Sequence, residues 1–121
     1  MVIEIDFAGN EAIYLQLRNQ IIWQIATSRL REGDILPGVR QMADSIGINM
    51  HTVSKAYTLL REEGYVRTQQ GVGTVVAMDI NQMKAKEQIK EKLRLLLASA
   101  YCQRLSRYEI HEMIDEIYNE Y

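Results

Sequence analysis

The sequence predicts a mainly α-helical fold with one small β-hairpin, followed by a helical tail. Three observations predict it. Residues 39–60 place apolar side chains at the three- and four-residue spacing of amphipathic helices. Residues 65–77 hold two short β-prone runs around a glycine-rich turn, which is typical of a hairpin. From Asn81 onward, apolar stripes at helical spacing are backed by faces rich in lysine and glutamate.

Length and composition describe an ordinary globular protein. The 121 residues suffice for one small domain with an appendage, and we expect them to divide into residues 1–77 and 78–121. No apolar run approaches the roughly 20 residues of a membrane span, and no signal segment opens the chain. The single cysteine, Cys102, excludes an internal disulfide. These features predict a cytoplasmic protein without membrane contact.

The chain before residue 31 holds a short alternating run and a long helix. Residues 2–7 alternate apolar and acidic side chains, which predicts an edge strand or an arm packed on a partner. A helix is predicted from about residue 11 to about residue 30. Its apolar residues form two stripes: Ile13, Leu17, Ile21 and Ile25, and Leu15, Ile22, Ala26 and Leu30. Because a surface helix needs only one stripe, we expect the second to face another element or another subunit.

Residues 39–60 predict two short helices joined by a tight turn. Gly47 allows the positive φ that ends the first helix, and Asn49 is a good N-cap for the second. The inward positions of the second helix are Val53, Ala56, Tyr57 and Leu60, and the outward ones are His51, Thr52, Ser54, Lys55 and Thr58. A second helix with a polar outer face at its N-terminal end describes a helix-turn-helix, which predicts a DNA-binding protein.

A hairpin follows this second helix. Gly64 is predicted to end the helix, residues 65–69 and 74–77 to be strands, and residues 70–73 to be the turn. The second helix of a helix-turn-helix is its recognition helix, and a hairpin directly after it is the wing of a winged helix-turn-helix. The wing carries Gln69 and Gln70 at its turn, so it is neutral there.

The tail is predicted to contain two amphipathic helices. The apolar face of the first holds Met83, Ile89, Leu93, Leu96, Leu97 and Ala100. Ser106 and Glu109 match the capping box of the second helix, whose apolar face holds Ile110, Met113, Ile114 and Ile117. Two such helices can bury their stripes only against each other, the winged domain or a partner. We therefore predict a helical dimerisation tail.

Several spaced motifs between residues 10 and 77 resemble those of the GntR family of transcription regulators. GDILPGVR at residues 33–40 resembles the family's G-x-x-L-P-S-x-R motif. TVSKAY at residues 52–57, Leu60, GYV at residues 64–66 and GVGT at residues 71–74 continue the pattern in register. The short two-helix tail is similar to that of the YtrA-type subgroup. The resemblance implies a homodimeric bacterial repressor, often of a transporter operon, with operator DNA as its partner.

The resemblance also implies which residues bind double-stranded DNA. Arg40 matches the family arginine that contacts DNA at the start of the helix that precedes the recognition helix. Asn49, His51 and Thr52 match positions of the turn and recognition helix that reach phosphates and base edges.

Further binding residues lie along the recognition helix and in the wing. Ser54 is a neutral donor that suits phosphates or bases, and Lys55, one turn beyond His51, suits a phosphate. Gln70 and Gly71 lie at the wing tip, which in relatives of this family enters the minor groove.

The sequence predicts neither an enzyme nor a cofactor. His111 and Asp115 lie four residues apart without a third ligand, so a surface ion pair is favoured over a metal site. No nucleophile–base pair or carboxylate dyad has usable spacing, and Cys102 has no nearby histidine or basic cluster to activate it.

Two alternatives stay open. A winged helix can serve protein–protein contact without sequence-specific DNA binding, and the net charge of −2 and the neutral wing favour that use. The face with Met83, Leu93 and Met113 is interpreted as a core or dimer seam, with a pocket for an unknown small-molecule effector as the alternative.

Overall fold

The computed structural model describes all residues, Met1–Tyr121. Its elements are, in chain order, α1 (Ile13–Ala26), α2 (Val39–Ile46), α3 (Met50–Glu62), β1 (Val66–Gln69), β2 (Gly73–Val76), α4 (Gln82–Cys102) and α5 (Arg107–Tyr118). They form two compact units, Met1–Ile80 and Asn81–Tyr121, so the division falls three residues beyond the expected boundary. The architecture confirms the predicted fold class, a winged helix-turn-helix with a helical tail.

The core of the first unit forms around α3. Helices α1 and α2 and strand β1 all pack against it. Its inward positions, Val53, Ala56, Tyr57 and Leu60, are buried as the sequence predicts. They meet Leu17 and Ile21 of α1 and the buried residues of α2 and the hairpin. Burying this face fixes which side chains of α3 remain on the surface.

Helix α1 is shorter than the sequence predicts. It begins at Ile13 and ends at Ala26 rather than near residue 30. The reason lies in the residues that follow. The Thr27 hydroxyl donates to the Trp23 carbonyl, and Ser28 has a φ of 61°, which leaves the helical region. The N–H groups of Arg29 and Leu30 then both donate to the Gln24 carbonyl, which closes the helix end and returns Leu30 to the core.

Three glutamines of α1 hold the N-terminal arm, residues 2–7. The side-chain oxygens of Gln20 and Gln16 accept from the N–H groups of Glu4 and Asp6, both at 2.8 Å. The amide nitrogen of Gln24, which is buried, donates to the Val2 carbonyl at 2.7 Å. Because the glutamines are spaced by four residues, they satisfy alternate backbone groups of an extended segment. The arm therefore packs on α1 of its own chain and forms no β-strand.

Local caps set the two central helices. Gly47 has a φ of 73° and ends α2, and the Asn49 side chain caps α3 by accepting from the His51 N–H at 2.7 Å. The segment that leads into α2 is fixed to the wing, because Ile35 pairs with Val75 of β2. The wing and the start of α2 are thus parts of one hydrogen-bonded structure.

Tyr57 ties α3 to this segment. The side chain is buried, and its hydroxyl donates to the Pro37 carbonyl at 2.7 Å. Burial raises the pKa of Tyr57 above its ordinary value of 10. Above about pH 10 the unfolded chain therefore loses a proton that the folded chain retains, and stability falls by about 1.4 kcal/mol per pH unit.

We therefore expect the difference in unfolding free energy between the Tyr57→Phe variant and the wild type to become smaller as the pH rises. Near neutral pH the variant should be about 1 kcal/mol less stable, because the Pro37 carbonyl loses its donor. Above about pH 10 the gap should shrink, since phenylalanine cannot ionise. Urea denaturation followed by far-UV circular dichroism across this range measures both. A gap independent of pH would contradict the assignment.

The second unit exposes its apolar side chains. Helices α4 and α5 do not pack side by side. Only Ala100 of this unit is buried, and the exposed apolar residues of the predicted stripes are Met83, Ile89, Leu93, Leu96, Leu97, Met113, Ile114 and Ile117. Helix α5 begins as predicted, because the Ser106 hydroxyl oxygen accepts from the Glu109 N–H at 3.1 Å. The helices are well capped, yet their apolar faces have no cover within the unit.

Candidate nucleic-acid interface

The outer face of α3 is polar and carries no acidic residue before Glu62. His51, Ser54 and Lys55 are exposed on it, whereas Thr52 is half-buried. His51, Ser54 and Lys55 line one open cleft together with Tyr14 of α1. An exposed face of donors and one cation can meet phosphates and base edges without repelling them.

Asn49 has a structural role that is compatible with binding. Its side-chain oxygen caps α3, while its amide nitrogen makes no hydrogen bond within the chain. The residue is exposed at the start of the helix. The cap holds the side chain in one orientation, which leaves the amide nitrogen free to donate to a ligand.

Arg40 is the second residue of α2 and is exposed. It lines a separate open cleft with Gly38, Gln41, Asp44 and Ser45. Gly38 is the N-cap of α2 and offers no side-chain hydrogen bond there. The backbone N–H groups in the first turn of α2 are therefore uncapped beside the guanidinium group.

The wing presents neutral polar groups at its tip. Gln70 and Gly71 are exposed in the turn between β1 and β2, and Gly71 has a φ of 77°. The nearest wing cation is Arg67, which is exposed on β1 and pairs across the hairpin with Val75. Arg67 is not among the binding residues predicted from the sequence.

Arg40 and Lys55, the cations of the candidate interface, form no ion pair. Within salt-bridge distance the chain forms two pairs, Arg18 with Glu63 and Arg94 with Glu91. The first joins α1 to the C-cap of α3, with the Arg18 Nε 2.8 Å from a Glu63 carboxylate oxygen. Its hydrogen bond to Glu63 raises the pKa of Arg18. The pair neutralises an acid near the recognition helix, and Arg40 and Lys55 keep no carboxylate partner.

Lys55 contacts an aromatic ring instead. Its Nζ lies 4.0 Å from the centroid of the Tyr14 ring, within the range of a cation–π interaction. Tyr14 is half-buried near the start of α1. Sequence spacing gave no signal for Tyr14, because it lies on another helix, far earlier in the chain.

The structure contains neither a metal-binding cluster nor a membrane-spanning helix. No group of three or more His, Cys, Asp or Glu side chains is placed to hold a metal ion. None of the helices combines the length and the hydropathy that crossing a membrane requires.

Known proteins match both the first unit, Met1–Ile80, which we call the winged unit, and the whole chain. The model of the gntR family of bacterial regulatory proteins matches residues 10–76, which span α1 to β2. The HTH-type transcriptional repressor YtrA of Bacillus subtilis is 34% identical over 119 residues, covering 96% of this chain and 92% of the relative.

Solved structures share the fold. A transcriptional antiterminator from Listeria monocytogenes superposes with a TM-score of 0.87 at 28% identity, covering 97% of this chain and 90% of that chain. The AraR DNA-binding domain in complex with operator ORX1 superposes with a TM-score of 0.54 at 26% identity. That match covers 64% of this chain and 99% of the AraR domain.

Proposed function

Because the chain belongs to the GntR family and is a DNA-binding transcription regulator, we propose that it is a homodimeric repressor of a transporter-type operon, bound to a pseudo-palindromic operator in the cytoplasm. The observation that carries the proposal is the exposed polar face of α3, which has no acidic residue before Glu62 and carries Lys55 without a carboxylate partner. The YtrA relative is a repressor, and occupation of a promoter excludes polymerase.

Each proposed contact follows from chemistry and exposure. Arg40 and Lys55 are the cations and bind phosphates, which fixes the register of the protein on the duplex. Asn49, His51 and Thr52 lie in the first turn of α3 or just before it, and they read or approach bases in the major groove.

The remaining contacts flank that turn. Ser54 donates to a phosphate or a base, and the wing tip with Gln70 and Gly71 touches the minor groove or the adjacent backbone. The tip lacks a cation, so its electrostatic attraction to the minor groove is weak.

A second copy of the chain is the partner that best fits the tail. The uncovered apolar faces of α4 and α5 need a cover. Charge is also segregated: α4 carries five Lys and Arg against two Glu, and α5 carries four Asp and Glu against one Arg. Antiparallel association of α4 with the partner's α5 would bury apolar stripes and oppose unlike charges. A homodimer on a pseudo-palindromic operator would present its two α3 helices to half-sites ~34 Å apart or a multiple of it.

The winged unit carries more acidic than basic residues, which affects how strongly it binds DNA. This unit has seven Lys and Arg against nine Asp and Glu. This balance and the neutral wing favour the alternative of a protein-contact module without sequence-specific DNA binding, whereas membership of a family of DNA-binding regulators favours the operator. A unit with this charge balance should bind random DNA weakly, because sequence-independent affinity depends on neutralising phosphates.

Selection of genomic fragments tests the proposal. The purified full-length protein is mixed with fragmented DNA of its own genome, and retained fragments are sequenced. Salt-sensitive retention of a few fragments that share an inverted repeat is the expected result. Failure to retain any fragment at low salt would contradict sequence-specific operator binding.

Arg40→Ala should weaken binding to selected and random duplexes alike. Loss of one phosphate contact in each half-site should lower the log–log salt slope by about 1 per half-site. Fluorescence anisotropy over a range of salt concentrations measures affinity and slope together. Arg31→Ala, which removes an exposed arginine from the loop before Gly33, is the matched control. A folded Arg40→Ala dimer with an unchanged slope would contradict the contact.

A further inference from the structure

We propose that Tyr14 of α1 is a positioning residue for DNA binding, whose ring holds the Lys55 ammonium group where it meets a phosphate. This inference deepens the function proposed above and rests on it. It extends the interface from the recognition helix to the start of α1.

The ring of Tyr14 is itself held in place. Tyr14 packs against the core of the winged unit, and α1 packs directly on α3. The guanidinium group of Arg18, one turn along α1, pairs with Glu63 at the end of α3. These contacts fix the spacing between the two helices, so the ring presents a defined face to the side chain of Lys55.

Lys55 keeps its capacity to bind an anion while it rests on the ring. Its Nζ is 4.0 Å from the ring centroid, and no carboxylate lies within salt-bridge distance of it. A ring face attracts the ammonium group without occupying its three N–H donors in strong hydrogen bonds. The donors therefore remain available to phosphate oxygens.

Ordering a lysine before binding lowers the cost of the contact. A free lysine side chain loses much rotamer freedom when it is immobilised on a phosphate. With Tyr14 in place, part of that loss has already occurred in the free protein. His51 and Ser54 line the same cleft and offer further donors to a phosphate, while Glu62, which also lines it, is the last residue of α3.

The test compares Tyr14→Met with Tyr14→Phe in the full-length protein. The probes are a duplex fragment that the wild type retains from genomic DNA and a random-sequence duplex of equal length. Methionine removes the ring and suits a helix, whereas phenylalanine keeps the ring and removes only the hydroxyl. We expect Tyr14→Met to weaken binding to both probes by about threefold per half-site, and Tyr14→Phe to bind within about twofold of the wild type.

A second background separates positioning from a general effect on the fold. In Lys55→Met protein, adding Tyr14→Met should change affinity no further, since the residue through which Tyr14 acts is gone. An undiminished effect in that background would overturn the proposal. So would tighter binding by Tyr14→Met, which would mean that the ring withdraws Lys55 from DNA, or an equal loss in Tyr14→Phe.

Nuclear magnetic resonance of the free wild type gives a readout that does not depend on folding of the variants. Ring current should shift the Lys55 ε-methylene signals upfield, and signals at random-coil positions would overturn the proposal. If the wild type itself retained no genomic fragment and bound no random duplex at low salt, the proposed function and this inference would both fall. Wild-type binding with unaffected Tyr14→Met would remove this inference alone.

Discussion

Changing Ile114 to glutamate should convert the proposed dimer into monomers and lower affinity for the proposed operator by roughly 10²- to 10⁴-fold. Ile114 lies on the uncovered apolar face of α5 and is 43% exposed in the single chain. In the proposed dimer the new carboxylate would be buried without a partner, at a cost that the interface cannot recover. Each monomer would then bind one half-site alone and lose the gain from linking two.

Two measurements on the Ile114→Glu protein separate this effect from damage to the fold. Sedimentation equilibrium reports the oligomeric state, and fluorescence anisotropy reports affinity for the selected fragment and for random DNA. Weak, salt-sensitive binding to random DNA should persist, because the winged unit has its own core. His111→Glu adds a carboxylate to the same helix outside the stripe and should leave the dimer intact. A dimeric Ile114→Glu protein with wild-type affinity would contradict the proposed interface.

The helix-turn-helix could be predicted because its signals are local. Gly47 and Asn49 act on backbone groups within a few residues, as Ser106 does at the start of α5, so spacing along the chain is sufficient to identify them. The inward positions of α3 follow from the 3.6-residue repeat for the same reason. The shorter end of α1 could not be predicted in this way, because Thr27 and Ser28 compete with apolar periodicity that continues to Leu30.

The residues of the candidate site also fall into two groups, those placed by local sequence and those placed by packing between helices. His51, Ser54 and Lys55 share a helix face, and the helical repeat places them together. Tyr14 and the pair of Arg18 with Glu63 depend on how α1 packs across α3, which no short-range pattern encodes. The glutamines that bind the N-terminal arm were missed for a different reason. Gln16, Gln20 and Gln24 fit the polar positions of an amphipathic helix, so their spacing looked like an ordinary solvated face.

Gly64→Ala should destabilise the winged unit by roughly 2 to 5 kcal/mol. Gly64 follows α3 with a φ of 88°, and an alanine in this backbone conformation is strained whatever surrounds it. Its surroundings add a second cost. A Cβ at this position would lie 2.2 Å from the Asp79 carbonyl oxygen, while the Asp79 N–H donates to the Gly64 carbonyl at 2.6 Å. The chain after the wing could not keep this close approach to the end of α3.

Comparison with the Gly33→Ala variant separates the cost of the steric clash with Asp79 from the cost of the positive φ. Gly33 has a similar φ of 93°, but a Cβ there would meet nothing within 4 Å. We expect Gly33→Ala to cost about 1 to 2 kcal/mol, so the difference between the variants measures the clash with Asp79. The lone tryptophan, Trp23, lies in α1 and reports unfolding of the winged unit by its fluorescence in urea. Equal losses in the two variants would mean that the backbone at Asp79 moves away at little cost, and that the wing is not anchored to α3 through this contact.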